Sequence, residues 1–226
     1  MIRGSSSKRV VPGLVYLVIG AVTLVMGGAR WKYLLILLGV FVGLIVAVFA
    51  VDEVLKNATG DYVLLKQYQR NRLLVFLDPS ADVTGTGFNL NQAMIAIGSG
   101  GLFGKGLLNG SQSSLGFVPE SATDFIFCVL AEQFGFMGAM VLLVLYLALI
   151  LLAIRIARES SDLFGTLIVM GIVGMWLFQI LENIGMDIGL MPITGIPLPF
   201  MSYGSSFMMV NFALLGLIGS VYAHAG

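Results

Sequence analysis

Two carboxylates inside an apolar stretch are the residues of this sequence best suited to do chemistry. Asp124 follows Pro119 at the start of a hydrophobic segment, and Glu132 lies about two helical turns further on. A charged side chain next to lipid costs roughly 2.5–3.5 kcal/mol, so such residues usually face a polar cavity or a partner. A carboxylate in a cavity can accept a proton from a hydroxyl group. Asp124 is therefore the leading candidate for a catalytic base.

The same position also has a purely structural interpretation. The run SATD, residues 121–124, fits a capping box, in which the Asp124 side chain returns a hydrogen bond to the N-cap residue. The four-residue spacing of Asp124, Cys128 and Glu132 predicts that they share one helix face. Spacing by itself favours the cap, and it does not exclude the base.

The glycine-rich segment GSGGLFGKG, residues 98–106, invites comparison with a phosphate-binding loop. Ser99 and Gly106 do not fit the P-loop pattern, and no strand–loop–helix context surrounds them, which excludes a nucleotide site of that kind. Backbone N–H groups and Lys105 could still be aimed at a phosphate. The alternative, which the conformational freedom of glycine favours, is that these glycines only serve tight turns.

Polar residues recur at three- and four-residue intervals near the end of a later apolar segment. This spacing gathers them into one stripe on a helix. A stripe can hold helices together by hydrogen bonds, worth about 0.6 kcal/mol per pair on average, or it can form the wall of a polar cavity. Both interpretations stay open, although two acids are more than helix contacts require. The stripe consists of Gln179, Glu182, Asn183, Met186 and Asp187.

The composition indicates an integral membrane protein. Of 226 residues, 58% are hydrophobic and 11% are charged, whereas about 25% are charged in ordinary soluble domains. The 12 basic and 12 acidic residues balance, which gives no reason to expect nucleic acid as a partner. One cysteine, Cys128, and one histidine, His224, exclude a disulfide framework and a Cys/His zinc cluster.

The hydrophobicity pattern predicts one all-α membrane domain with about five transmembrane helices. The third helix is predicted from about residue 123 to residue 157, which is too long for a bilayer core of about 30 Å. We therefore expect Gly135 and Gly138 to be the break points. The predicted crossings are residues 10–28, 34–51, 134–154, 163–184 and 207–223.

Three segments outside these crossings complete the predicted organisation. Residues 1–9 form a polar tail, and residues 52–122 form a large loop with short helices at 68–77 and 90–97. Three prolines mark residues 189–206 as an ordered non-helical loop, which is tolerated at membrane depth only inside protein or beside a cavity. The connectivity places both loops and Asp124 on one side of the membrane.

Four long motifs, in this order, resemble the SEDS family, whose RodA, FtsW and SpoVE types polymerise peptidoglycan in elongation, division and sporulation. The resemblance extends from about residue 27 to the C-terminus, and it implies the C-terminal half of a ten-helix fold, a partial form of such a protein. The motifs are YQRNRLLVFLDP, GTGFNLNQAMIAIGSGGLFGKG, PESATDFIF with AEQFGFMG, and NIGMDIGLMPITGIPLPFMSYGSS.

The resemblance implies an activity and a location. Family members are processive, inverting glycosyltransferases that use lipid II in the bacterial cytoplasmic membrane, with the large loop and the active site on the extracytoplasmic side. The TDFIF motif places the catalytic aspartate of the family at Asp124. The expected partner is a class B penicillin-binding protein, which acts as the transpeptidase.

Further residues are predicted to bind substrate or to support Asp124. Basic side chains suit the departing pyrophosphate, and the remaining acids suit the rim or the wall of the cavity. No cofactor is implied, although Mg²⁺ or Mn²⁺ is an open alternative. A lipid II flippase and a non-catalytic scaffold of the cell-wall machinery are the alternative functions. The supporting candidates are Glu120, Lys105, Arg72, Arg70, Glu132, Glu182, Asp187 and Ser202.

Overall fold

A computed structural model describes the chain over residues 11–28, 86–107, 109–111 and 122–224, and at scattered positions between 32 and 52. The described residues form helices joined by turns and loops, and no strand occurs among them. The helices whose bounds are described are α1 (Val11–Met26), α2 (Thr86–Gly100), α3 (Ile126–Glu159), α4 (Leu163–Asp187) and α5 (Ser205–Ala223).

The helix lengths confirm a multi-pass membrane fold. Among the described residues, α3, α4 and α5 are long and apolar enough to cross a membrane, and α1 is a shorter apolar helix of 16 residues. The described positions between 32 and 52, where a second crossing is predicted, are helical. The predicted amphipathic helix at 68–77 lies outside the described residues, and the predicted helix at 90–97 belongs to the longer α2.

The core lies where α3 and α4 pack side by side. Tyr146 of α3 and Trp176 of α4 are buried in it. Helix α1 approaches α4 closely, because a Cβ atom added at Gly174 would lie 2.7 Å from the Val22 side chain. Small residues at such contacts allow the close backbone approach on which helix packing in membranes depends.

The predicted break in the long third helix occurs at Gly135. This residue has φ 67° and ψ −164°, a combination that is essentially restricted to glycine. Gly138, the other predicted break point, remains helical. Helix α3 therefore consists of a short segment, residues 126–134, before Gly135 and a long apolar segment after it.

A glycine-rich loop, residues 101–106, replaces the helical hydrogen bonds that the break removes. In an unbroken helix, the N–H groups of residues 136 and 137 would donate to the carbonyls of residues 132 and 133. Here the loop binds all of these groups, so the break leaves none of them without a partner. The bonds run from Lys105 N to Glu132 O (3.0 Å), from Gly106 N to Gln133 O (3.0 Å), from Phe136 N to Gly101 O (2.9 Å) and from Met137 N to Leu102 O (3.1 Å).

The start of α3 differs from the prediction. Residues 122–125 form a turn, Phe125 occupies the N-cap position, and the helix begins at Ile126. Asp124 therefore lies before the helix and not inside it, so the expected helical face with Cys128 and Glu132 is wrong for Asp124. The capping-box interpretation is also wrong, because that pattern requires Asp124 at the third helical position.

Candidate active site

The turn at residues 122–125, here called the Asp124 turn, is held by three successive backbone carbonyls. The carbonyl of Ala122 accepts a hydrogen bond from Tyr203 N (2.8 Å), and that of Thr123 accepts one from Ser202 Oγ (2.6 Å). The carbonyl of Asp124 itself accepts one from Asn183 Nδ2 (2.7 Å). Because these bonds occupy the main chain, they fix the origin of the Asp124 side chain without using its carboxylate.

The proline-rich loop, residues 188–204 between α4 and α5, supplies two of these donors and also faces the carboxylate. A Cβ atom added at Gly195 would lie 2.8 Å from Asp124 Oδ2. Gly195 also has φ 75°, a conformation that favours glycine. The loop predicted at residues 189–206 is non-helical as far as residue 204, after which α5 begins, and the absence of a side chain at Gly195 leaves room for the carboxylate.

The proline-rich loop is itself anchored on the helices. Ser202 is fully buried, and its Oγ accepts a hydrogen bond from Leu198 N (2.7 Å) while donating to the Asp124 turn. Tyr146 of α3 donates its hydroxyl hydrogen to the carbonyl of Pro199 (2.6 Å). Phe200, a non-glycine residue with φ 61°, packs edge-on against Trp176 at a centroid distance of 5.2 Å. These contacts hold the loop in place beside Asp124.

The polar stripe of α4 contacts the loop and the start of α3. Glu182 Oε1 accepts a hydrogen bond from Thr194 Oγ1 (2.8 Å), and Asn183 Nδ2 also donates to the carbonyl of Ile196 (2.8 Å). Asp187 Oδ2 accepts a hydrogen bond from Cys128 N (3.2 Å). These contacts support the interpretation of the stripe as hydrogen bonds between elements.

Asp187 acts as a helix cap from a distance. The N-cap residue of α3, Phe125, makes no side-chain cap hydrogen bond, and Cys128 is the third helical residue. A carboxylate that accepts from this N–H group satisfies one of the donors that the first turn of a helix leaves open. The Asp187 carboxylate therefore lies at the start of α3, next to the Asp124 turn.

Lys105 and Glu132 form a second polar cluster beside the break at Gly135. Lys105 Nζ lies 2.9 Å from Glu132 Oε1 and donates to Ser111 Oγ at 2.7 Å. Glu132 is fully buried, whereas 29% of the Lys105 side chain is exposed. The ammonium group that was a candidate for pyrophosphate contact therefore neutralises a buried carboxylate, and it ties the glycine-rich loop to α3.

The structure brings together only some of the predicted site residues. Ser202 contacts the Asp124 turn directly, and Asp187 lies beside it on α4. Glu182 binds the proline-rich loop, and Lys105 and Glu132 form the separate pair at the helix break. Three further candidates, Glu120, Arg70 and Arg72, lie outside the described residues.

Sequence reasoning did not identify two residues that shape the site. Asn183 was placed in the polar stripe, but its bond to the Asp124 carbonyl joins positions 59 residues apart. Gly195 gave no chemical signal at all, because its contribution is a backbone conformation and the space beside Asp124. The Thr-Gly pair in the proline-rich motif, followed by Ile-Pro, is a turn signal that could have drawn attention to it.

Within the described residues, no group of three or more His, Cys, Asp or Glu side chains is arranged to hold a metal ion.

Comparisons with known proteins agree with this architecture. The family named for FtsW, RodA and SpoVE, described as cell cycle proteins, matches residues 11–226. The peptidoglycan glycosyltransferase MrdB of Escherichia coli K12 is 40% identical over 205 residues, which cover 91% of this chain and 52% of MrdB. The peptidoglycan glycosyltransferase RodA of Treponema pallidum is 46% identical over 160 residues, which cover 71% of this chain and 37% of that protein.

A solved structure supports the same relationship. It is described as "Structural coordination of polymerization and crosslinking by a peptidoglycan synthase complex", and one of its chains matches with a TM-score of 0.67 and 31% identity. The match covers 94% of this chain and 55% of the solved one. The chain thus spans about half the length of MrdB and of the solved chain. Since the family match takes in residues 11–226, the chain belongs to the FtsW, RodA and SpoVE family of cell cycle proteins.

Proposed function

We propose that this chain carries the catalytic part of a peptidoglycan glycosyltransferase, and that Asp124 is its general base. The substrate is lipid II, a disaccharide peptide linked to undecaprenyl pyrophosphate. Relatives named peptidoglycan glycosyltransferase support the activity, and the position of Asp124 supports the assignment of the base.

The proposed reaction is a single displacement with inversion. The 4-hydroxyl oxygen of a GlcNAc residue attacks the anomeric carbon of a lipid-linked sugar, and the bond from that carbon to the pyrophosphate oxygen breaks. Asp124 accepts the hydroxyl proton as the new glycosidic bond forms, and undecaprenyl pyrophosphate leaves with the bonding electrons. General base catalysis of this kind contributes typically 10²–10⁴-fold to a rate.

The main support for the proposal is the set of hydrogen bonds that hold the backbone at Asp124. Its backbone carbonyl and the two preceding ones are bound by Asn183, Ser202 and Tyr203, while its side chain is only partly buried. A base must stay within hydrogen-bond reach of its proton donor, and rigid support of the main chain helps to keep the Asp124 side chain in place.

The test is lipid II polymerisation by the purified chain in proteoliposomes, with and without a class B penicillin-binding protein. We expect Asp124→Asn to lower glycan synthesis by at least 100-fold while membrane insertion is unchanged. Asp162→Asn is the matched control, since Asp162 is an exposed aspartate at the opposite end of α4. Glycan synthesis by Asp124→Asn at the rate of the control would remove Asp124 from the mechanism, and no synthesis by the unmodified chain under either condition would reject the proposed activity.

The partner and the side of the membrane are part of the same proposal. A transpeptidase of the class B penicillin-binding type would crosslink the strands as they form, in keeping with the synthase complex to which one solved relative belongs. The Asp124 turn would then lie on the extracytoplasmic face of the bacterial cytoplasmic membrane, where lipid II is polymerised. Labelling of a cysteine introduced at exposed Tyr203 by a membrane-impermeant thiol reagent tests this orientation, with Cys128 replaced by serine.

A further inference from the structure

We propose that Asn183 and Asp187, one turn apart on α4, form a clamp that sets the position of the Asp124 carboxylate. This inference rests on the proposed function, in which Asp124 is the base. Both residues would be positioning residues, because they act on Asp124 through its backbone and through the first turn of α3. Neither needs to touch the substrate.

Asn183 supplies the first half of the clamp as a donor. Its Nδ2 lies 2.7 Å from the carbonyl oxygen of Asp124 and 2.8 Å from that of Ile196. Two carbonyl acceptors at the same atom fix the orientation of the amide group, since a flipped amide would present its oxygen to both. Asn183 is fully buried, so water cannot take over these bonds if the donor is lost.

Asp187 supplies the second half as an acceptor. Its Oδ2 binds Cys128 N at 3.2 Å, in the first turn of α3, where the helix has no side-chain cap from its own N-cap residue. An amide oxygen could accept the same bond, because acceptance does not require a negative charge. The two halves of the clamp therefore need opposite chemistry, a donor at 183 and an acceptor at 187.

The position of the two bonds argues for a role in placing Asp124. One bond holds the carbonyl of Asp124 and the other holds the N–H group four residues later, so α4 grips the chain on the C-terminal side of the base. A misplacement of about 1 Å at a reacting group can cost about 100-fold in rate. A small change at either contact is therefore expected to appear in catalysis.

Because position 183 needs a donor and position 187 needs an acceptor, variants of similar size that change one property at a time test the clamp in the full chain. Asn183→Asp removes both donors and is expected to lower kcat for lipid II polymerisation about 10- to 100-fold, with little change in KM. Asp187→Leu removes the acceptor and is expected to lower kcat about tenfold. Asp187→Asn restores the acceptor and should recover most of that loss. Equal loss in Asp187→Asn and Asp187→Leu would overturn the clamp, as would full activity in Asn183→Asp.

A control on the same face of α4 separates positioning from general damage. Gln179 lies one turn before Asn183, it is also buried, and Gln179→Glu likewise places a carboxylate on α4. We expect Gln179→Glu to lower the thermal midpoint as much as Asn183→Asp does, while kcat per folded molecule stays within about threefold of the unmodified chain. Equal loss of kcat in both variants would mean that a buried carboxylate damages the protein in general, and it would overturn the clamp.

A measurement that does not depend on activity distinguishes this inference from the proposed function. Amide hydrogen exchange over residues 122–128 should accelerate at least tenfold in Asn183→Asp and remain unchanged in Gln179→Glu, because only the first loses a contact with the Asp124 turn. Unchanged exchange in Asn183→Asp would reject the clamp even if Asp124 is the base. Accelerated exchange, together with full glycan synthesis by Asp124→Asn, would instead reject the proposed function and leave the contacts as structural ones.

Discussion

The break inside α3 and the turn before α3 lie within a short distance of each other along the chain, and they are stabilised in opposite ways. At Gly135, the glycine-rich loop and α3 exchange backbone hydrogen bonds in both directions. At the Asp124 turn, side chains of Asn183 and Ser202 bind backbone carbonyls, and a third bond, from Tyr203 N, is between backbones. The break depends on the main chain, and the turn depends mainly on the identity of side chains.

The break and the Asp124 turn should therefore respond differently to substitution. The backbone hydrogen bonds at the break do not depend on the identity of side chains. The glycine-rich loop and α3 approach so closely, however, that a Cβ atom is excluded at Gly135 and at Gly104. The Asp124 turn tolerates side chains but needs a particular donor or acceptor at each contact. We therefore expect the break to govern folding, and the turn to govern the position of a reactive group.

The largest expected effect is at the break. Gly135→Ala places a Cβ atom against the backbone of Leu102 and Gly104, in a conformation that only glycine adopts readily. We expect a loss of about 3 kcal/mol or more in stability, measured as the thermal midpoint of the purified chain in detergent. Gly98→Ala is the control, since a Cβ at this exposed site on α2 meets no atom within 4 Å. A similar midpoint for both variants would contradict the role of the break.

The ion pair beside the break should have the next largest effect. Lys105→Met removes the cation next to the fully buried Glu132, and breaking a buried pair costs about 3–5 kcal/mol. Because the Lys105 side chain is partly exposed, we expect about 2–3 kcal/mol. The double variant Lys105→Met, Glu132→Gln should regain much of the midpoint. Loss of glycan synthesis by the double variant at a normal midpoint would instead favour contact of Lys105 with pyrophosphate.

At the Asp124 turn, Ser202→Ala should lower both stability and activity. The substitution removes the acceptor for Leu198 N, a loss of about 1–3 kcal/mol, and it releases the carbonyl of Thr123 from one donor. We expect kcat for lipid II polymerisation to fall about tenfold. Ser206→Ala, a nearby exposed serine, provides the control. Unchanged kcat in Ser202→Ala would show that the turn does not need this contact.

The smallest effect is expected at the opposite end of the long helices. Arg155 and Glu159 form an exposed ion pair at 2.8 Å, one turn apart on α3. Exposed pairs of this kind are screened by water and salt. Arg155→Gln should therefore leave both the thermal midpoint and glycan synthesis unchanged within error. A clear loss of activity would indicate a functional site at this end of the protein.

Much of the fold could be predicted from the sequence, because long apolar segments and glycine carry strong local signals. The helices at residues 163–184 and 207–223 were placed to within three residues, and the break at Gly135 followed from the excess length of one apolar segment. The start of α3 could not be placed, because the SATD pattern indicates a cap that the tertiary contacts replace. Asp187 provides the cap from another helix.

The candidate site could be predicted only in part, and the reason is the distance of its contacts along the chain. Asp124 and Ser202 were identified from the family motifs, but the bonds that join the turn to α4 and to the proline-rich loop link residues 59 and 79 positions apart. A local sequence pattern does not indicate which distant residues form such pairs. Lys105 is an example of a misleading local pattern. Its position near glycines suggests contact with a phosphate, whereas in the structure it pairs with Glu132.

The most direct test of the account is the single-turnover rate of lipid II polymerisation by Asp124→Asn, measured with enzyme in excess and with lipid II binding measured in parallel. We expect binding within about threefold of the unmodified chain and a rate lower by 10²–10⁴-fold, because the variant keeps the turn and loses the base. A rate equal to that of the unmodified chain would contradict the assignment of Asp124 as the base.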